Sequence, residues 1–218
     1  MTKQSRVRPQ IAHGFPGTTA GLAERIGSAE RLVAPGLAVL PRACLVTDRA
    51  SLGRFLREYQ SQILIPLELP AICRAHGHAA RYEIRELIEL DRQLANEPLL
   101  QDFATASQRV GKTQLKRLRP LRDQRLVQRY LGAVQAGQAH AWHTLVYGVI
   151  LWLYSLPLRQ GLLSYAHQST RGFVDSVACR LAFSEADCRS LTEELNAALP
   201  AAVNAVLHGT AEPKPLPG

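Results

Sequence analysis

From Thr47 onward the apolar residues recur at helical spacing. Leu52, Phe55, Leu56, Tyr59 and Ile63 follow the i, i+3, i+4, i+7 rule behind a Thr47 or Asp48 cap, and predict a helix ending before Pro66. Ile72 to Ala80, then Ile84, Leu87, Ile88 and Leu94, continue the period with Glu and Arg between them. Pro98 suits the first position of a further helix, where a missing N–H is no loss, and Leu99, Phe103, Ala106 and Val110 mark its apolar side. Val127, Tyr130, Leu131 and Val134 share the next face, which Gly137 stops.

The run TLVYGVILWLYSL, Thr144 to Leu156, is apolar all round. It is shorter than the roughly 20 residues a membrane span requires, so it predicts a buried core helix. Pro157 opens the following segment; Ser184 with Asp187 resembles a capping box for a last helix that Pro200 bends. No segment after Thr47 alternates as a half-buried strand would. The fold class is therefore all-α: a single-domain helical bundle of about seven to ten helices. Residues 1–46, rich in Gly and Pro, are expected to be irregular with short helices, 47–208 to form the helical domain, and the tail 209–218 to be disordered.

Charge changes this picture only at the surface. The 26 Lys and Arg against 18 Asp and Glu leave a net charge of +8, which favours polyanions or an acidic protein partner. Four widely spaced cysteines, Cys44, Cys73, Cys179 and Cys188, and an N-terminus without an apolar leader predict free thiols and a cytoplasmic location.

Several motifs invite a chemical reading. Gly111-Lys112-Thr113 ends a phosphate-loop pattern, but Ala106 stands where the early glycine should be and helix formers, not a strand, precede it. Cys73, His76 and His78 have the ligand types for a transition metal, although on a helix 73 and 76 share a face and 78 does not. His140 and His143 stand at helical spacing as a weaker pair. Lys112, Lys116, Arg117, Arg119, Arg122, Arg125 and Arg129 could contact phosphates, yet only 6% of the chain is aromatic and no reader motif surrounds them; a solvated or protein-docking face is the preferred reading. No G-x-S-x-G and no paired carboxylates indicate an active site, so the chain reads as a non-enzyme without a cofactor.

The order of motifs is more informative than any one of them. Leu90-Asp91, Leu94, then Ala106, Ser107, Arg109, Gly111 and Leu115 are followed by Val146-Tyr147-Gly148-Val149 and by Ser176, Val177, Ala178, Cys179, Arg180 and Leu181. Over about residues 45–181 this resembles the urease accessory protein UreF family. The chain departs from that family near its start, where Phe15, Gly21, Leu22 and Glu24 echo a Gly-Phe…Gly-Leu-Glu stretch, and after Leu181, where AFSEAD replaces Leu-Gly-Gln. It resembles a divergent member.

The resemblance implies a non-enzymatic scaffold and homodimer that joins the UreD (UreH) protein and the GTPase UreG to deliver nickel to apo-urease. It makes Ser107, Gly111 and Gly148 structural positions and Tyr165 and Arg180 docking candidates. Two rivals are a basic nucleic-acid binder using Lys112 to Arg129 and a metal carrier using Cys73, His76 and His78.

Overall fold

The Asp48 side chain accepts the Ser51 N–H at 2.7 Å while the Ser51 hydroxyl accepts the Asp48 N–H, a reciprocal cap that starts helix α1 (Arg49–Tyr59). The computed structural model describes residues 46–119, 121, 124–181 and 183–211; within helices, the side chains of 179, 180, 210 and 211 are not described. Expectations for residues 1–45 and 212–218 lie outside the described residues.

The chain does not leave the helix before Pro66. It widens into a π-helical segment, Gln60–Glu68, and continues directly as α2 (Leu69–Ala80). A proline has no N–H to donate and its ring collides with the carbonyl four residues back; the looser i→i+5 register gives the ring room, and burial of Leu64 keeps the segment on the core. Helices α3 (Ile84–Ala95), α4 (Gln101–Arg117, after a 3₁₀ turn Pro98–Leu100), α5 (Arg125–Gln135), α6 (His143–Leu153) and α7 (Leu158–Leu181) follow.

Pro200 breaks rather than bends the last predicted helix. Ser184 caps α8 (Glu185–Asn196) through the Asp187 N–H at 3.1 Å, and α9 (Leu199–Ala211) restarts with the proline in its first turn, where its missing N–H costs nothing. Because α9 reaches Ala211, residues 209–211 belong to a helix and not to a tail.

The class is all-α, with nine α-helices and no strand among the described residues. At its centre stands α6, whose residues from His143 to Leu151 are all buried, as its uniformly apolar sequence requires. It packs on α2 and α4, and α3, α7 and α9 also pack on α2. Gly148 sets the approach of α6 to α2: a Cβ there would lie 2.6 Å from the Ile72 carbonyl oxygen and 2.9 Å from the Ala75 Cβ. Only a residue without a side chain lets the two backbones meet at that distance. No described helix is long and apolar enough to cross a membrane.

Candidate functional site

The motif residues of α3 and α4 converge on one short stretch of chain, the connection from Gly137 to Trp142 that leads into α6. Asp91 is fully buried, and its carboxylate accepts three hydrogen bonds: from the Tyr130 hydroxyl at 2.5 Å, the His140 N–H at 2.6 Å and the Ala141 N–H at 2.9 Å. Ala141 has φ +58°, a left-handed conformation that an alanine adopts only when its surroundings enforce it. Burial, with the Asp91 charge beside it, drives the Tyr130 hydroxyl pKa well above its ordinary range, so Tyr130 stays a donor.

Ser107 and Gly111, one turn apart on α4, face the same stretch. The Ser107 hydroxyl accepts the His143 N–H at 3.1 Å, capping α6 from another helix, and Gly111 leaves room for the Ala141 carbonyl. The Gly-Lys-Thr triplet is thus the middle of a helix, with the Thr113 hydroxyl donating to the Arg109 carbonyl at 2.9 Å. Its backbone N–H groups belong to the helical ladder and do not form a phosphate cradle.

A second cluster lies under the π segment. The Tyr59 hydroxyl donates to the Glu68 carboxylate at 2.6 Å, and the Tyr165 hydroxyl interacts with the same group. Burial pushes Glu68 up to about 7. Tyr165 stacks against His143, centroids 5.7 Å apart, and meets Tyr147 edge-on at 5.2 Å. Desolvation lowers His143 to about 3, so the ring is neutral at ordinary pH.

Tyr165 is 4% exposed, an interior residue rather than a surface one. The reason is the face of α7 it shares with Leu162, Ala166, Ser169 and Phe173, which is turned into the core. Arg180 is in the last turn of the same helix. Glu68 escaped the sequence reading, although it is the sole charge in the apolar run ILIPLELPAI.

The three metal candidates are not brought together. Cys73 is buried, His76 is partly exposed with its pKa lowered by desolvation, and His78 holds Glu83 through Nδ1 at 2.8 Å. Glu83 is drawn down to about 2 by hydrogen bonds from Arg81 and then His78. Among the described residues no three His, Cys, Asp or Glu side chains form a metal-binding group. His140 supplies its backbone N–H to Asp91, and His143 faces the tyrosines.

The basic residues form the corner between α4 and α5. Lys112, Lys116, Arg117, Arg119, Arg125 and Arg129 are all exposed, and Arg122 lies outside the described residues. The Gln128 amide donates to the Arg119 and Leu121 carbonyls, each at 3.1 Å, and so fixes the corner that presents them. Between Asp102 and Asp175 the sequence holds ten Lys and Arg and one acid, Asp123.

Comparison with known proteins adds one finding. No curated protein matches the chain, but the UreF family model matches residues 46–183, the whole of α1 to α7 and thus every element that builds the Asp91 and Glu68 clusters. A match over more than half of the sequence, on residues whose packing roles are visible, assigns the chain to the UreF family of urease accessory proteins.

Proposed function

We propose that this protein is a non-enzymatic scaffold in urease maturation: it pairs as a homodimer, joins a UreD (UreH)-like protein and a UreG-like GTPase in the cytoplasm, and supports nickel delivery to apo-urease. The observation that carries the reading is the family match over 46–183, because that segment contains the residues that set the chain's most constrained geometry, Asp91, Ser107, Gly111 and Gly148. A rigid helical core of this kind acts by presenting surfaces, and nucleotide chemistry then belongs to the partner. On this reading residues 47–208 are the docking unit, flanked by 1–46 and the segment from 209. Arg180 is a docking residue, and the basic α4–α5 corner speeds encounter with an acidic partner face.

The test is co-expression of the tagged full chain with UreD-like, UreG-like and apo-urease proteins, followed by affinity capture and light scattering. Recovery of a UreD-like and a UreG-like protein on a dimer, weakened by Arg180→Ala and by rising salt, is expected. Recovery of neither overturns the assignment.

A further inference from the structure

Beside the π segment, Phe55, Tyr59 and Ile63 face Phe103 across a groove of about 140 Å³. Its floor is held by rings: Phe103 is 5.8 Å from Tyr59 and 6.4 Å from Phe173, and Phe55 is 5.5 Å from Phe173. A cavity of about 150 Å³ accepts a benzene-sized group, so the space suits one branched or aromatic side chain. Leu99 lines the groove and is 45% exposed, more than any described large hydrophobic side chain except Tyr82.

The mouth is acidic. Glu58 and Asp102 line it, no Lys or Arg does, and Asp102 makes no ion pair among the described residues. A phosphate-bearing surface would be repelled by such a rim, whereas a polypeptide cation would be held.

We propose that this groove docks an amphipathic helical segment of a partner protein, which inserts one apolar side chain between Ile63 and Phe103 and sets a Lys or Arg against Glu58 and Asp102. Helix-in-groove recognition has these two parts: the anchor supplies burial, and the flanking charge supplies register and selectivity. The basic α4–α5 corner would repel the same segment, so discrimination between the two surfaces is electrostatic.

The inference does not depend on the urease reading, since its test uses synthetic peptides. A dye-labelled amphipathic Leu/Lys helix and its Leu/Glu counterpart are titrated with the full chain and followed by fluorescence anisotropy. The Leu/Lys helix should bind. Glu58→Lys with Asp102→Lys should weaken it at least about tenfold, roughly the effect of one lost charge contact, and Leu99→Gln should weaken it without shifting the melting temperature. Lys112→Glu with Lys116→Glu should leave it as tight or tighter. If the double lysine variant fails to fold, Asp102→Asn supplies the charge arm and should give a smaller loss in the same direction.

Equal binding of the Leu/Glu helix, or indifference to the Glu58, Asp102 and Leu99 changes, overturns the proposal. So does light scattering in which Leu99→Gln dissociates a dimer while neither peptide binds, which would make the occupant a second copy of this chain. Loss of urease-partner capture with peptide binding intact would refute the proposed function and leave the groove assignment standing.

Discussion

A Cβ placed on Gly111 would stand 1.9 Å from the carbonyl oxygen of Ala141, so α4 and the chain entering α6 touch backbone to backbone. Neither side can yield easily. Ala141 is already in a left-handed conformation and tied to Asp91, and the next turn begins on the Ser107 cap. Gly111→Ala should therefore cost about 3 kcal/mol or more, at the upper end of overpacking effects. Gly148→Leu, against Ile72 and Ala75, should cost on the order of 1 to 3 kcal/mol or more on the same grounds. Urea-denaturation midpoints check both; an unchanged midpoint at either position would disprove that contact.

Asp91 should be the costliest polar residue to remove. Asp91→Ala leaves the Tyr130 hydroxyl and two backbone N–H groups without their acceptor, a loss of about 3 kcal/mol or more when each stranded donor carries its own desolvation penalty. Tyr130→Phe strands nothing on the tyrosine side and should cost less. In a double-mutant cycle the two changes should sum to less than their separate effects, because they share one network. Strict additivity would place Tyr130 outside it.

Half-buried Glu68 and buried His143 should pull the pH dependence of stability in opposite directions. Glu68 is raised from 4.5 to about 7, so the folded state holds its proton more tightly; this contribution is complete below pH 4.5 and lost as pH rises through 7. His143 is lowered from 6.5 to about 3, so its contribution is complete above pH 6.5 and lost as pH falls toward 3. Between pH 4.5 and 6.5 the two slopes oppose. Glu68→Gln should expose a stability that rises with pH in that window, and His143→Phe one that falls. Parallel curves for wild type and both variants would contradict the burial of these groups.

Lys112 should be irrelevant to nucleotides. Its triplet is inside α4, with the N–H groups of Gly111, Lys112 and Thr113 directed along the helix. Equilibrium dialysis with labelled GTP should detect no tight binding in wild type or Lys112→Ala. Tight binding abolished by that substitution would mean that α4 opens into a loop.

What the sequence determined alone was the kind and order of elements. Period and punctuation are local: Asp48 and Ser184 as caps, Gly137 as a stop and the apolar run from Thr144 as a core helix are each legible within a few residues, and each stands in the structure, although the core helix ends at Leu153 and leaves Tyr154 and Ser155 in an exposed turn. Family membership was legible for a related reason, since ordered motifs survive as spacing even when each is weak.

The meaning of those motifs was decided by contacts between residues far apart in the chain. Asp91 meets Ala141 across 50 positions and Ser107 meets His143 across 36, and no local period encodes which helix a polar residue will cap. The same limit accounts for the corrections. Pro66 is tolerated because core burial of Leu64 outweighs a local helix breaker, and Tyr165 is interior because the face of α7 that carries it is packed into the core. Burial and partner choice are properties of packed helices, and they exist only once the helices have met.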